Sequence, residues 1–383
     1  MGILDAPSPT LTTQRVTADF GSGGVAITVD GAVREWVQRT VLVLPVDTKR
    51  WRLRIRNCRV RSGAVGTGII TCTTGVYVGV PLYAGTGRWE GGLVASPTLA
   101  LPTFATPADL SEVTTSWVTN ANQQFTAHAP LSLSLGFTAP ATNTFPYDFT
   151  QRSLYLAGAG TSALASSSSA LTSPQSLVTL DMRLEYEYTT AIGSPSSFVT
   201  LDIGDSITAG FNGGDSGTYT HEAWPGVAAL RTGQPSINWG IGSETLAGMA
   251  VNLAAWKWTR CDLATTVPAK ARIALGSNDA VADTALATMQ ADFVTIATNL
   301  RNLGIKNIEA CTIIPRGFTG AQETTRTDFN NWLRGLPSGV TRCHDFDKAL
   351  AVEAAPSTIN ADYASSYPHL LRGGYQRMGT IVA

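Results

Sequence analysis

The chain has 383 residues, long for one domain and natural for two, with 44% hydrophobic but only 14% charged residues. A formal net charge of −1 excludes a global field that would draw it to nucleic acid or to an acidic membrane surface. Its five cysteines (Cys58, Cys72, Cys261, Cys311, Cys343) lack the paired spacing of a zinc or redox motif, and no apolar run is long enough to span a bilayer.

The opening MGILDAPSPT has no basic segment followed by an apolar one, so no signal peptide is expected. An extracellular or virion-associated location then requires another export route, and the cytoplasm is the alternative. Residues 20–190 read as strands. WRLRIR (51–56) alternates Trp51, Leu53 and Ile55 with Arg52, Arg54 and Arg56, a half-buried strand with one basic face that is read as solvated. Residues 68–83 and 131–139 are β-branched or alternating runs bounded by Gly and Pro. Residues 177–188 read as one strand, with Val178, Leu180, Met182, Leu184, Tyr186 and Tyr188 on one side. An antiparallel, jelly-roll-like β-sandwich accommodates these runs. The stretch 158–176 is of low complexity and reads as a long loop or flexible connection.

The period changes after 189–197, which divides the chain into a sandwich domain, 1–190, and a second domain, 198–383. From there strands (198–203, 236–241, 271–275, 307–314, 340–346) alternate with helices (221–233, 244–258, 282–304, 323–336, and a last one from 374). That alternation calls for a parallel sheet with helices on both faces, where sites form at the carboxyl ends of the strands.

Polar signals fall at those ends. Gly204-Asp205-Ser206-Ile207 follows the first strand, Asn238-x-Gly240-Ile241-Gly242-Ser243 the second, and Gly276-Ser277-Asn278-Asp279 the third. His369 stands near the C-terminus with Gly374-Tyr375 after it. Together and in this order, the blocks resemble those of the SGNH (GDSL) hydrolases over 198–383, about half of the chain. The resemblance implies a flavodoxin-like, three-layer α/β/α esterase domain that needs no metal or cofactor. It also implies Ser206 as nucleophile, His369 as base, and an oxyanion hole of the Ser206 N–H, the N–H of Gly242 or Ser243, and the Asn278 side chain.

Two positions depart from the family pattern. The second-block glycine most often falls where this chain has Ser243. The triad acid usually stands three residues before the histidine, where this chain has Ser366. Asp362 lies further upstream and reaches the base only if YASSY folds back; a Ser-His dyad is the simpler expectation. Of the other histidines, His128 belongs to the sandwich and His344 to the last strand, which leaves His221 as the rival base.

The remaining motifs read as structure. HDFD (344–347) has residues that alternate faces along a strand and reads as a strand end and turn rather than a metal site. FNGGDSG (211–217) reads as a site-edge loop and Trp224-Pro225 as a helix start. A sandwich before an SGNH domain resembles certain carbohydrate esterases, which implies O-deacetylation of a polysaccharide or cell-surface glycan. The Gly/Thr/Ser-rich β domain also looks like a phage tail or baseplate protein, with homo-oligomer or virion assembly through the sandwich. Two alternatives stand beside this: a structural or adhesion protein with a vestigial hydrolase fold, and a lipase- or thioesterase-type enzyme.

Overall fold

The computed structural model describes residues 11–19, 35–57, 68–83, 91–107, 111–139, 147–157, 159–172, 175–194, 198–211, 221–254, 267–364 and 369–383. Eleven strands form the first half: β1 (Leu11–Asp19), β2 (Glu35–Val43), β3 (Arg50–Arg56), β4 (Ile70–Gly79), β5 (Thr98–Leu101), β6 (Phe104–Thr106), β7 (Val113–Thr114), β8 (Pro130–Thr138), β9 (Tyr147–Ala157), β10 (Gln175–Thr179) and β11 (Asp181–Ala191), counted among the described residues. They pair antiparallel into two sheets, β1-β11-β3-β7 and β10-β9-β2-β8-β4-β5, with β6 beside β4. Trp36 stacks on Phe137, and Trp51 meets Phe125 edge-on, in the buried space between the sheets.

Three features differ from the sequence reading. First, the run 177–188 is two strands. Leu180 has φ +69°, and at this buried residue the chain leaves one sheet for the other. Second, the arginine face of β3 is paired rather than solvated. Arg50 and Arg52 bind Glu187 and Glu185 at 2.7 and 2.8 Å, and both guanidinium groups lie 4.4 Å from the Trp117 ring. Arg54 stands opposite Arg183 in the register, a like-charge pair that destabilises a sheet. Glu112 offsets it by binding both. Third, the low-complexity stretch holds a 3₁₀ helix, Thr161–Ser166, pinned by Arg39. The Arg39 guanidinium is buried and donates to the carbonyls of Leu164, Ser167 and Ser169, each at 2.6 Å, and to that of Gly91. With no carboxylate among these partners, burial pushes its pKa down to about 10.

The second half is built on a parallel sheet of β12 (Thr200–Gly204), β13 (Ser236–Gly240), β14 (Lys270–Ala274), β15 (Asn307–Cys311) and β16 (Arg342–His344), in the order β13-β12-β14-β15-β16. This is the flavodoxin-like arrangement, whose switch point lies between the first and third strands. The helices are α1 (Ser206–Ala209), α2 (Trp224–Thr232), α3 (Leu246–Ala254), α4 (Ser277–Val281), α5 (Leu286–Asn302), α6 (Gly320–Arg334), α7 (Phe346–Leu350) and α8 (Arg372–Val382), among the described residues. The long helix expected over 282–304 is α5, and α4 is a separate short turn formed by the third block before it. A short hairpin, β17 (Ala351–Val352) and β18 (Ala355–Ile359), follows α7.

The helices fall on two faces, giving three layers. Met289, Phe293, Ile296 and Leu300 form the buried stripe of α5, which packs with α3 and α6. Trp224, Leu350, Tyr375 and Met378 form the opposite cluster, from α2, α7 and α8. Gly379 is needed there, because a Cβ would stand 2.5 Å from Cβ of Val227. Within the sheet, Asp202 and Arg272 are register neighbours and a buried bidentate pair, with Nε–Oδ1 at 2.6 Å and Nη2–Oδ2 at 3.1 Å. Arg272 also reaches the Val382 carbonyl at 3.2 Å, which ties α8 to the sheet.

Candidate active site

Ser206 is placed by two glycines. A Cβ on Gly204 would stand 1.9 Å from Thr208 Oγ1, and one on Gly240 would stand 2.1 Å from the Ala209 nitrogen. Without those atoms α1 lies directly on the strand ends. Asp205 caps the turn, accepting from Ile207 N–H at 2.8 Å. Burial pushes this carboxyl up to about 6, opposed by that hydrogen bond and the charge of Arg316. As the first residue of α1, Ser206 has an N–H without an i−4 carbonyl in the helix.

The second block wraps the same turn. Asn238 donates from Nδ2 to the Thr208 carbonyl and accepts from Gly240 N–H, both at 2.9 Å. Ser243 then adopts φ +58°, the left-handed conformation a glycine takes without cost. Gly242 is buried beside it, and Ser243 is exposed. In the third block, Asn278 Nδ2 donates to the Glu244 carbonyl at 2.9 Å, which leaves its second hydrogen for a ligand. Asp279 caps α3, both carboxylate oxygens lying 3.1 Å from Leu246 N–H.

His369 Nε2 lies 3.0 Å from Ser206 Oγ, hydrogen-bond distance for a base and its nucleophile. The Phe211 ring lies against the imidazole, with centroids 5.6 Å apart. Tyr375 OH donates to the Phe211 carbonyl and fixes that neighbour. Burial, and secondarily the Arg316 charge, push His369 down from 6.5 to about 4. The imidazole is therefore neutral and able to accept a proton at ordinary pH.

No described carboxylate reaches His369. Asp362 is exposed and its N–H donates to Asn360 Oδ1 at 2.9 Å, while 365–367 of YASSY lie outside the described residues. Ser366 lies outside the described residues, as does 212–217 of the glycine-rich loop. His221 is not beside Ser206. It lines a cavity between the two halves with Leu42, Leu44, Tyr186 and Asn238, and burial pushes it down to about 4. His344 pairs with Glu309 at 2.8 Å, while Asp345 and Asp347 bind Arg334 and Asp347 also binds Arg326. The HDFD carboxylates and imidazole are thus committed to protein partners.

The sequence reading overlooked Arg316, at the carboxyl end of β15. Its Nη1 donates to Ser277 Oγ at 2.9 Å and approaches Asn278 Oδ1 at 3.5 Å. The strand-end rule that singled out Ser206 and Asn278 applies equally to IIPRGF, but no family block marked that stretch.

Solved structures similar to the chain include a putative lipolytic protein of the G-D-S-L family from Desulfitobacterium hafniense. It shares 23% identity over 48% of this chain and 96% of that one, with a TM-score of 0.39. An active-site mutant of a family two carbohydrate esterase from Clostridium thermocellum is 12% identical over 98% of this chain and 97% of its own, with a TM-score of 0.41. Its counterpart from Cellvibrio japonicus is 11% identical over 97% and 96%, with a TM-score of 0.39. No curated protein matches the chain. The GDSL-like Lipase/Acylhydrolase family matches residues 203–377, from the end of β12 into α8, and so takes in Ser206, Asn278 and His369. Residues 203–377 are a GDSL-like lipase/acylhydrolase domain, the ester-hydrolase part of this chain.

Proposed function

We propose that the chain is a serine esterase that removes O-acetyl groups from a polysaccharide or cell-surface glycan through a Ser-His acyl-enzyme mechanism. The observation that carries the chemistry is the 3.0 Å contact of His369 Nε2 with Ser206 Oγ at the switch point of the sheet. Ser206 Oγ attacks the ester carbonyl while His369 takes its proton. The N–H groups of Ser206 and of Gly242 or Ser243, with Asn278 Nδ2, receive the oxyanion. The carbonyl reforms as the alkoxide leaves and takes the proton from His369. Water, deprotonated by the same imidazole, then attacks the acyl-serine and releases acetate.

The domain assignment carries over as part of this reading, with 198–383 as the catalytic unit and 1–190 as a sandwich that supports the glycan. The glycan reading draws its support from that pairing. The test is acetate release from a panel of acetylated glycans by the native protein and by Ser206→Ala. Acetate released by native protein and lost in the variant is the expected result. Activity that persists in Ser206→Ala removes the mechanism, and cleavage of small esters alone removes the glycan substrate.

A further inference from the structure

Arg316 is an arginine without a carboxylate at the mouth of an esterase site. Among the described residues it makes no ion pair. Its polar contacts are Ser277 Oγ at 2.9 Å and Asn278 Oδ1 at 3.5 Å, both from Nη1. The Phe318 ring sits beneath the guanidinium at 5.6 Å. Nε and Nη2 are left to whatever enters the site. The acid whose charge acts on it is Asp205, which makes no ion pair with it and accepts instead from Ile207 N–H at 2.8 Å.

The loop is also held in place. Asn330 clamps Ile313 from both sides, accepting from its N–H at 2.7 Å and donating to its carbonyl at 2.8 Å. Arg326 adds a third bond to that carbonyl at 3.0 Å. A half-buried cation on a braced loop, with its donor fork unspent, is poised for bidentate recognition of an anion.

Resting on the esterase reading above, we propose that Arg316 is a specificity-determining residue that selects esters bearing a carboxylate close to the scissile bond. The carboxylate sits either on the sugar, as in an acetylated uronic acid, or on the acyl group, as in a hemisuccinate. The guanidinium borders Asn278, so the anion would lie beside the oxyanion donors.

The experiment compares kcat/KM within matched pairs, so that any general effect of Arg316 on Asn278 or His369 cancels in the ratio. One pair is acetylated galacturonate against acetylated methyl galactoside; the other is 4-nitrophenyl hydrogen succinate against 4-nitrophenyl butyrate. Native protein should favour the anionic member of one pair by about tenfold or more, and Arg316→Gln should bring that ratio to about one. The pair that responds identifies the side. A native ratio of one or below in both pairs overturns the proposal, as does a preference that survives Arg316→Gln. Calorimetric binding of galacturonate against galactose, and of succinate against butyramide, reads the same preference without turnover. If every ester is inert, the esterase reading fails while these titrations still decide the role of Arg316.

Discussion

Phe211 lies against His369 with ring centroids 5.6 Å apart and planes inclined by 32°. Among the described residues the imidazole has this tilted aromatic neighbour beside it, and no carboxylate partner. A triad acid fixes the tautomer and can be worth about 10⁴ in kcat; aromatic packing supplies orientation but no countercharge. Phe211→Ala should therefore lower kcat by about tenfold or more, while Asp362→Ala changes it less than about tenfold. Steady-state kinetics on a soluble acetate ester check both. If Asp362→Ala is as damaging as His369→Ala, the dyad is wrong and Asp362 completes a triad.

The pH dependence has a definite sign. A base must be neutral, and His369 is lowered from 6.5 to about 4 by burial first and Arg316 second. Activity should stay on its plateau well below pH 6.5 and fall only as pH drops toward about 4. Replacing Arg316 with Gln removes the smaller cause, so the acidic limb should move upward yet remain below the ordinary histidine value. A kcat/KM profile with its limb at the ordinary value in native protein contradicts this.

Asn278 has one amide hydrogen on the Glu244 carbonyl and one to give. Asn278→Ala should lower kcat by about a hundredfold or more with little change in KM, as loss of a transition-state donor does. Circular dichroism separates this from misfolding, since the bond to Glu244 is lost as well. A folded variant with full kcat removes Asn278 from the oxyanion hole.

Ser243 sits at φ +58°. Ser243→Gly should keep activity and raise stability by up to about 1 kcal/mol through relief of that strain, partly offset by a freer unfolded chain. Ser243→Val should cost about 2 kcal/mol, because a β-branched residue resists the left-handed region. Denaturant midpoints measure both, and equal stability of the two variants would contradict the strain assignment.

Arg39 serves four carbonyls from two segments, Gly91 and the stretch 164–169 at the end of the 3₁₀ helix. Arg39→Met keeps the length and removes every donor, so buried carbonyls lose their partners at about 1–3 kcal/mol each. A loss of at least about 3 kcal/mol is expected, together with early proteolysis near 158–172. Wild-type stability in Arg39→Met means water replaces the guanidinium.

The second half was the more legible because helix and strand periods differ and alternate there. The five strands, and the helix Leu286–Asn302 within the expected 282–304, appear where periodicity puts them. The break at Leu180 was invisible, since a residue that turns the chain between two sheets keeps the apolar alternation on both sides. The fate of the β3 arginines was hidden for another reason: Glu112, Glu185 and Glu187 become their partners only through pairing across the fold. At the site, Ser206, Asn278 and His369 carried local motifs. Phe211 and Arg316 stand in stretches whose placement at the site was legible, but which side chain meets the base or Asn278 depends on neighbours distant in sequence.

β1 pairs with β11 along its whole length, Leu11 opposite Ala191 and Asp19 opposite Arg183. During synthesis at about 5–20 residues per second, β1 waits on the order of ten seconds for the strand it must pair with. The sandwich is thus closed by its latest strand, a high-contact-order step that sets a slow clock on its folding. For that interval β1 is an open template for other chains. Its composition answers the hazard: LTTQRVTAD spaces Leu11, Val16 and Ala18 among hydroxyls, an amide and both signs of charge, so a nascent strand with no partner stays wetted rather than sticky.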